Sequence, residues 1–192
     1  METSNIAKQV DEAVKVLRAG GIMLYPTDTV WGIGCDAENA EAVKKIYDLK
    51  QRNDSKSMLV LVDRVERILS YIHTMPEIAY SLLEVTDTPL TIIYPGARNL
   101  APNLVPPENT VGIRVVNHEF CERVIKKLNR PLVSTSANLS GKPAPAYFEE
   151  ISEEIVKGVD YVVSQEFEGM PTGKPSSIIM LGLGGEVKII RE

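Results

Sequence analysis

The sequence predicts an α/β fold in a single domain, residues 1–192, with a twisted sheet of parallel and antiparallel strands flanked by helices. Segments with apolar residues at helical spacing alternate with short β-branched runs through most of the chain. Near the carboxyl end, two strand-like runs follow one another with no helix between them, which excludes a purely parallel sheet. The 192 residues, 44% of them hydrophobic, are enough for one sizeable core without disulfides or a structural metal.

The first helix is predicted from apolar residues that recur every three or four positions between residues 6 and 17. Ser4 or Asn5 is expected to cap its start, and Gly20-Gly21 is expected to end it. An apolar strand over residues 21–25 follows and ends at a proline.

The later elements follow from the same patterns. Asn39 is expected to cap a second helix that ends near Lys50. The further predicted helices cover residues 64–71, 77–85, 119–128 and 147–159. The further predicted strands cover residues 57–62, 89–94, 110–116, 132–134 and 161–163, with a final hairpin of 176–181 and 187–190.

Glycine and proline mark two special segments. Residues 95–109 contain four prolines and are expected to form a long ordered loop, which in a compact domain is often functional. Gly32 and Gly34 follow the first strand and are expected to permit tight backbone geometry rather than to bind a ligand.

Composition excludes several classes of protein. Two cysteines, Cys35 and Cys121, and two histidines without any Cys-x-x-Cys spacing leave too few ligands for a structural zinc site. Cys35 is expected to pack in the core because no histidine accompanies it in a catalytic motif. The amino terminus lacks the pattern of a signal peptide, and no apolar stretch is long enough to cross a bilayer. We therefore expect a reduced, soluble, cytoplasmic protein without membrane contact.

The formal net charge of -5 argues against a protein whose whole surface coats nucleic acid, but the charges are unevenly distributed. Five basic residues fall between residues 44 and 56, and four glutamates fall between residues 149 and 154. Each cluster is compatible with a solvated helix face. The basic cluster is equally compatible with an anion site, because it continues past the end of the second helix.

Polar clusters follow several predicted elements. Each alone is typical of a cap or a solvated turn, but together on one side of a sheet they would suit a phosphate-bearing ligand. Neither a Walker A motif nor a Gly-x-Gly-x-x-Gly motif is present, so side chains must supply much of the grip on phosphate. The clusters are Thr27-Asp28-Thr29, Lys50-Gln51-Arg52 with Ser55-Lys56, Arg114 within a strand, and residues 134–141.

Five short motifs in a fixed order carry a family resemblance. They are YPTDTVWGIGCDA at 25–37, KQR at 50–52, TVGIRV at 110–115, STSANLSG at 134–141 and PSSII at 175–179. With these motifs the chain resembles the YrdC-like family of threonylcarbamoyl-AMP synthases over roughly residues 10–191. The length resembles the short bacterial form, without the additional C-terminal domain of the longer form. The resemblance implies a single YrdC-like domain with a large concave basic cavity.

The resemblance implies an enzyme, a nucleotidyltransferase that joins L-threonine, bicarbonate and ATP into L-threonylcarbamoyladenylate and releases pyrophosphate. Mg²⁺ would arrive with ATP, and no dedicated protein metal site is expected. A separate transferase would then place the threonylcarbamoyl group on an adenosine of tRNA. Such chemistry needs positioning and positive charge rather than a serine or cysteine nucleophile, because several anions must meet.

The resemblance also assigns residues. It implies that Lys50 and Arg52 are catalytic and lie along the triphosphate. The implied ATP-binding residues are Arg52, Lys56, Thr110, Ser136 and Asn138. The implied threonine-binding residues are Thr27, Arg114, Ser134 and Ser176, with Ser177 as an alternative to Ser176. The planar fork of Arg114 suits the carboxylate of threonine better than a lysine would.

Several positions depart from the family pattern. Asp28 and Trp31 replace the usual glutamate and tyrosine and keep the charge and the aromatic ring. Asn53, Ser57 and Leu61 differ from the usual residues near the phosphate and amino-acid sites, so contacts to substrate there need not follow those of the family.

Two other classes remain open. A related domain occurs in hydrogenase maturation carbamoyltransferases, but those chains are far longer and carry acylphosphatase and zinc-finger modules. A non-catalytic module that binds tRNA or double-stranded RNA through basic residues is the second alternative. It would show affinity that falls steeply with salt and no need for threonine.

Overall fold

In the computed structural model, residues 2–51 and 58–192 are described. Within them, nine strands form one sheet in the order β7-β1-β2-β6-β3-β5-β4-β8-β9. The strands are β1 Met23–Tyr25, β2 Gly32–Gly34, β3 Leu59–Val62, β4 Leu90–Pro95, β5 Thr110–Val115, β6 Leu132–Ser136, β7 Tyr161–Val162, β8 Ser177–Leu181 and β9 Val187–Arg191. The helices are α1 Glu2–Arg18, α2 Ala40–Lys50, α3 Val65–Ile68, α4 Glu77–Val85, α5 Glu119–Leu128 and α6 Glu153–Gly158.

The sheet is mixed, as predicted. The pairs β1-β7, β3-β5 and β4-β8 are parallel. The pairs β1-β2, β2-β6, β3-β6, β4-β5 and β8-β9 are antiparallel. The predicted C-terminal hairpin is therefore confirmed, and the molecule is a single α/β domain.

The predicted ends of the first two helices are confirmed except for the start of the first, where the predicted cap at Ser4 or Asn5 is wrong. Asn39 Oδ1 accepts a hydrogen bond from the backbone N–H of Ala42 at 3.1 Å, which caps α2. Gly20 adopts φ 77°, a left-handed conformation that ends α1. Helix α1 begins at Glu2, earlier than the predicted cap at Ser4 or Asn5.

Two predicted helices are shorter in the structure. Only Val65–Ile68 of the predicted helix 64–71 is helical, because residue 72 makes an isolated β-bridge with Ala97. The predicted helix 147–159 is wrong as one element. It consists of a 3₁₀ turn, Phe148–Glu150, and of α6, separated by Ile151, whose extended backbone directs its side chain into the core.

Strand β2 was not predicted, since three residues with two glycines lack the side chains that mark a strand. Its glycines let the backbone pass between β1 and β6 beside the ring of Tyr25. The Tyr25 hydroxyl of β1 reaches past β2 and donates to the carbonyl oxygen of Val133 in β6 at 3.1 Å. Tight backbone geometry at Gly34 is thus confirmed.

The two faces of the sheet are covered differently. One face packs against α2 and the 95–109 loop through strand residues such as Val60, Ile92 and Ile113. On the opposite face, α1 and α5 cover residues such as Met23 and Leu132, near one end of the sheet. The rest of that face, at β4, β5 and β8, carries polar and apolar side chains around a hollow.

Both cysteines are core residues. Cys35 and Cys121 are free thiols and buried, and burial raises the pKa of each thiol. The expectation that Cys35 packs rather than reacts agrees with this environment. No helix among the described residues is both long enough and apolar enough to cross a membrane.

Replacing Gly34 with alanine should destabilise the fold. The added methyl carbon would lie 2.3 Å from the carbonyl oxygen of Val133 and 2.6 Å from Cε1 of Tyr25. Relieving such overlap between backbones should lower the free energy of unfolding by about 3 kcal/mol, measured by urea denaturation. Gly32→Ala in the same strand is the matched control, because its methyl carbon would lie 3.3 Å from the nearest atom, Ser134 Oγ. Equal midpoints for Gly34→Ala and the unmodified protein would show that the close approach of β6 and Tyr25 does not require glycine here.

Candidate functional site

A cavity of about 410 Å³ occupies the part of the sheet face that α1 and α5 leave uncovered. Alternate residues of neighbouring strands line it, because successive side chains of a strand point to opposite faces. On β5, Thr110, Gly112 and Arg114 face the cavity, whereas Val111 and Ile113 face the core. The other strand residues of the wall include Leu59, Thr91, Ile93, Ser134, Ser136, Ile178 and Met180.

Five predicted site residues share this cavity. They are Thr110, Arg114, Ser134, Ser136 and Ser176. They come from β5, from β6 and from the residue before β8, which are separated by tens of positions in the chain. The structure therefore brings together the hydroxyl groups and the guanidinium that the sequence identified in separate polar clusters. Their individual roles remain predictions.

Lys50 lies beside the cavity as a buried side chain, only 2% exposed. Its ammonium group donates to the backbone carbonyl oxygens of Ser136 and of Asn138, the latter at 2.5 Å. The carbonyl oxygen of Lys50 accepts a hydrogen bond from the backbone N–H of Ser140 at 3.0 Å. Because Lys50 contacts the turn that follows β6 through these hydrogen bonds, the end of α2 fixes the conformation of that turn.

Asn138 lies in that turn and faces a second hollow of about 400 Å³, which we call the proline-lined hollow because Pro143 and Pro145 form part of its wall. The Asn138 amide nitrogen donates to the carbonyl oxygens of Leu139 at 3.0 Å and Lys142 at 2.6 Å. Its buried Oδ1 has no hydrogen-bond partner within the described part of the chain. Most buried acceptors have a donor, so this oxygen marks Asn138 as a position where a further donor is needed.

Thr27 is 2% exposed and does not line the cavity. Its hydroxyl donates to the carbonyl oxygen of Val30 at 2.7 Å and accepts from the backbone N–H of Thr29 at 3.1 Å. The structure thus places Thr27 inside the turn, and its neighbours Thr29 and Val30 face the cavity. The hydrogen bonds of Thr27 therefore fix the backbone of the turn that carries Thr29 and Val30.

Four positions named from the sequence lie outside the described residues: Arg52, Asn53, Lys56 and Ser57. The roles of Arg52 and Lys56 in binding ATP, and the basic character that they would give the cavity, stay predictions. Leu61, the other departure from the family pattern, is fully buried in the cluster formed by α1 and α5 and lies outside the cavity wall.

Arg114 is nearly fully buried in the cavity wall, at 3% exposed. One terminal nitrogen, Nη2, lies 3.0 Å from Asp28 Oδ1, whereas the buried Nε has no hydrogen-bond partner in residues 2–51 and 58–192. The guanidinium therefore has both a fixed anionic neighbour and an unused donor. This combination is typical of a group that binds an anionic ligand.

Arg191 was not predicted from the sequence, and the structure places it on the same cavity wall. Its Nε and Nη2 donate to the carbonyl oxygen of Ser176 at 2.9 and 2.6 Å. Burial, together with the nearby Arg114 guanidinium, lowers the pKa of Arg191. A register shift between Ile178 and Ile179 sets the pairing of β9, and no residue pattern in the sequence marks that shift.

Two other wall residues were also not predicted. The hydroxyls of Thr91 and Ser176 are 2.7 Å apart, so Thr91 fixes the orientation of a predicted site residue. Trp31 is buried in the wall, donates its indole N–H to Glu168, and meets the ring of Phe148 edge-on at 4.9 Å. The alternation of side chains between the two faces of β4 could have placed Thr91 on the cavity face. No comparable signal linked Trp31 to Glu168.

The described residues contain no group of three or more His, Cys, Asp or Glu side chains that could hold a metal ion. The charged side chains in the described cavity wall are Arg114, Arg191 and Glu108. The geometry thus offers guanidinium and hydroxyl groups, which suit carboxylates and phosphates, rather than a preformed metal centre.

Comparison with known proteins identifies the family. A family model for Sua5, YciO and YrdC, described as "Telomere recombination", matches residues 15–192. A threonylcarbamoyl-AMP synthase of Vibrio campbellii is 31% identical over 174 residues, which cover 89% of this chain and 93% of that protein.

Solved structures agree with that match. P. abyssi Sua5 complexed with L-threonine superimposes with a TM-score of 0.82 at 26% identity over 90% of this chain, which spans only 50% of that longer chain. E. coli YciO gives a TM-score of 0.82 at 25% identity and covers 96% of this chain and 89% of its own. The chain therefore belongs to the Sua5/YciO/YrdC family.

Proposed function

We propose that the protein is an L-threonylcarbamoyladenylate synthase, which condenses L-threonine, bicarbonate and ATP. The observation that carries the proposal is the single cavity in which Arg114, Ser134, Ser136 and Ser176 meet. Relatives that match most of the chain are named threonylcarbamoyl-AMP synthase, and a structural neighbour is complexed with L-threonine. These findings favour an enzyme over a non-catalytic module that binds double-stranded RNA.

The reaction brings anions together. The amine nitrogen of threonine forms a bond to the carbon of bicarbonate, and water leaves to give a carbamate. A carbamate oxygen then attacks the α-phosphorus of ATP, the bond to the β,γ-pyrophosphate breaks, and pyrophosphate leaves. Fixed cationic and hydroxyl donors lower the barrier because they stabilise the charge on these groups without having to reorganise.

In this proposal the amino-acid substrate lies against β5 and β8. Arg114 donates from its guanidinium to the carboxylate of threonine, for which its place in the cavity wall and its fork geometry suit it. Ser134 and Ser176 offer hydroxyl groups to the polar atoms of threonine, and Thr91 holds Ser176. Thr27 acts indirectly, by holding the turn that carries Thr29 and Val30.

ATP lies along β6 and the turn that follows it. Ser136 and Thr110 face the cavity where the phosphates would lie, and Asn138 lines the proline-lined hollow. We place Arg52 and Lys56 along the triphosphate by family resemblance alone. Mg²⁺ belongs to the substrate as MgATP and is held mainly by the phosphates.

Lys50 supports this nucleotide site by fixing its backbone. Its buried ammonium neutralises two carbonyl oxygens that would otherwise repel phosphate, and it holds Ser136 and Asn138 in one conformation. The product would serve a separate tRNA threonylcarbamoyl transferase. That partner, direct binding of tRNA and the cytoplasmic location remain predictions.

Purified protein should form threonylcarbamoyladenylate and pyrophosphate from MgATP only when L-threonine and bicarbonate are both present. The adenylate is followed by chromatography with mass detection, and pyrophosphate by a coupled assay. Serine lacks one methyl group and should react at least about tenfold more slowly than threonine, and alanine should react more slowly than serine. Salt-dependent binding of duplex RNA without any threonine-dependent pyrophosphate release would favour the RNA-binding alternative.

Lys50→Ala should lower kcat/KM by about ten- to a hundred-fold, because each lost charge-assisted hydrogen bond is worth about 1.5–3 kcal/mol. The matched control is Lys45→Ala on the same helix, whose ammonium also donates to a backbone carbonyl, that of Gly20, at 2.7 Å. The control should keep kcat/KM within about twofold of the unmodified enzyme. Thermal unfolding of both variants separates loss of the fold from loss of the site. A folded Lys50→Ala variant with full activity would remove Lys50 from the nucleotide site.

A further inference from the structure

Asp28 contacts Arg114 from the side away from the cavity. Its carboxylate is 10% exposed and faces a neighbouring hollow of about 460 Å³, together with Asn117, His118 and Thr172. Arg114 faces the large cavity, and Asp28 is not part of that cavity's wall. A ligand in the large cavity would therefore meet the guanidinium and not the carboxylate.

The surrounding backbone holds Asp28 in place. Its Oδ2 accepts a hydrogen bond from the backbone N–H of Asn117 at 3.2 Å, only three residues after Arg114. Its carbonyl oxygen accepts from the N–H of Thr172 at 3.1 Å, and that of Thr29 accepts from the N–H of Gly173 at 3.0 Å. The turn is thus tied to β5 and to the segment before β8, which leaves the carboxylate little freedom to move.

The contact with Asp28 does not use all the donors of the Arg114 guanidinium. Nη2 lies 3.0 Å from Asp28 Oδ1, and Nε, on the same edge of the guanidinium, is buried without a partner among the described residues. The neighbouring hollow is also lined by the titratable groups Asp87 and His118. Burial lowers the pKa of His118, which is therefore neutral at pH 7. It does not compete with Arg114 for the carboxylate. Arg191, on the cavity side, adds positive charge and so increases the need for a counter-ion.

We propose that Asp28 is a positioning residue for recognition of the amino-acid substrate: it orients the Arg114 guanidinium so that the donors on its cavity side bind the substrate carboxylate. This inference rests on the proposed function, since it assigns L-threonine to the Arg114 side of the cavity. Asp28 does not touch substrate. Its effect should therefore fall on the affinity for threonine and leave the affinity for ATP largely unchanged.

The test compares Asp28→Asn, Asp28→Glu and a matched control. Asp28→Asn keeps the shape and removes the charge, whereas Asp28→Glu restores the charge on a longer side chain. Asp63→Asn is the control, because Asp63 also pairs with a nearly buried arginine, Arg67, with both side chains 7% exposed. It lies outside the cavity wall. It reports what the loss of a buried ion pair does to the protein in general.

Two measurements are made on each folded variant: the Kd for L-threonine alone by calorimetry, and KM for threonine and for ATP in the synthase assay. Asp28→Asn should raise the Kd and KM for threonine about ten- to a hundred-fold, the effect of one or two charge-assisted hydrogen bonds. KM for ATP should stay within about twofold, and Asp28→Glu should recover most of the threonine affinity. Asp63→Asn should lower the melting temperature and leave both KM values unchanged.

Other outcomes would overturn the inference. Unchanged threonine affinity in Asp28→Asn, or equal losses for threonine and ATP, would show that Asp28 does not position Arg114 for the carboxylate. Equal losses in Asp28→Asn and Asp63→Asn would show a purely structural role. If the unmodified protein binds threonine but makes no adenylate, the proposed function fails, while the calorimetric comparison still tests Asp28. If Asp28→Asn does not fold, the threonine affinity of Asp28→Glu is compared with that of an added variant, Arg114→Ala. An affinity of Asp28→Glu as weak as that of Arg114→Ala would overturn the inference.

Discussion

The uneven helical cover of one sheet face is the constraint on which the site depends. Helices α1 and α5 bury this face at β1, β6 and part of β3, so the same face remains open at β4, β5 and β8. Because strand residues alternate between faces, the open part can carry polar groups while the residues between them still build the core. Arg114 thus faces solvent-filled space, although both of its neighbours along β5 pack against other elements. The fold obtains a cavity without leaving a gap in the core.

Two buried cations in and beside this cavity are stabilised in different ways. Lys50 donates to the backbone carbonyl oxygens of Ser136 and Asn138, so its ammonium group fixes the turn that follows β6. Arg114 has a carboxylate partner, Asp28, which reduces its net charge but fixes its orientation. The first arrangement suits a binding site that is built from the backbone of a turn. The second suits a single carboxylate, for which the geometry of the hydrogen bond matters more.

The sequence predicted most of the fold because the local signals agreed with the tertiary structure. Asn39 caps α2, Gly20 ends α1, and strand alternation places Arg114 and Ser134 on the face where the cavity lies. Strand β2 was not predicted because glycine at position 34 answers to the closeness of Val133 and Tyr25, contacts that depend on the folded sheet. The single helix expected over 147–159 failed because burial of Ile151 outweighs local helix preference.

The site was predictable in its chemistry and less so in its geometry. The motifs identified cations and hydroxyls, but the direction of each group depends on long-range contacts. The Lys50 ammonium donates to a backbone carbonyl after β6, and the Thr27 hydroxyl donates to the carbonyl oxygen of Val30 within its own turn. Arg191 reaches the cavity only because the pairing of β9 shifts by one residue at Ile178 and Ile179. Such a shift has no signature in composition or periodicity.

The turn at residues 27–29 shows how one short motif can serve structure and binding together. The Thr27 hydroxyl accepts a hydrogen bond from the backbone N–H of Thr29 and so closes the turn. The next two side chains point to different hollows: Asp28 points toward Asn117, and Thr29 faces the cavity. A change at Asp28 therefore alters the electrostatics of Arg114 without changing the surface that a ligand touches. Separating the group that binds from the group that orients it allows affinity to be tuned from outside the cavity. For a site that must accept an amino acid and a triphosphate side by side, this avoids placing a carboxylate where either anion would lie.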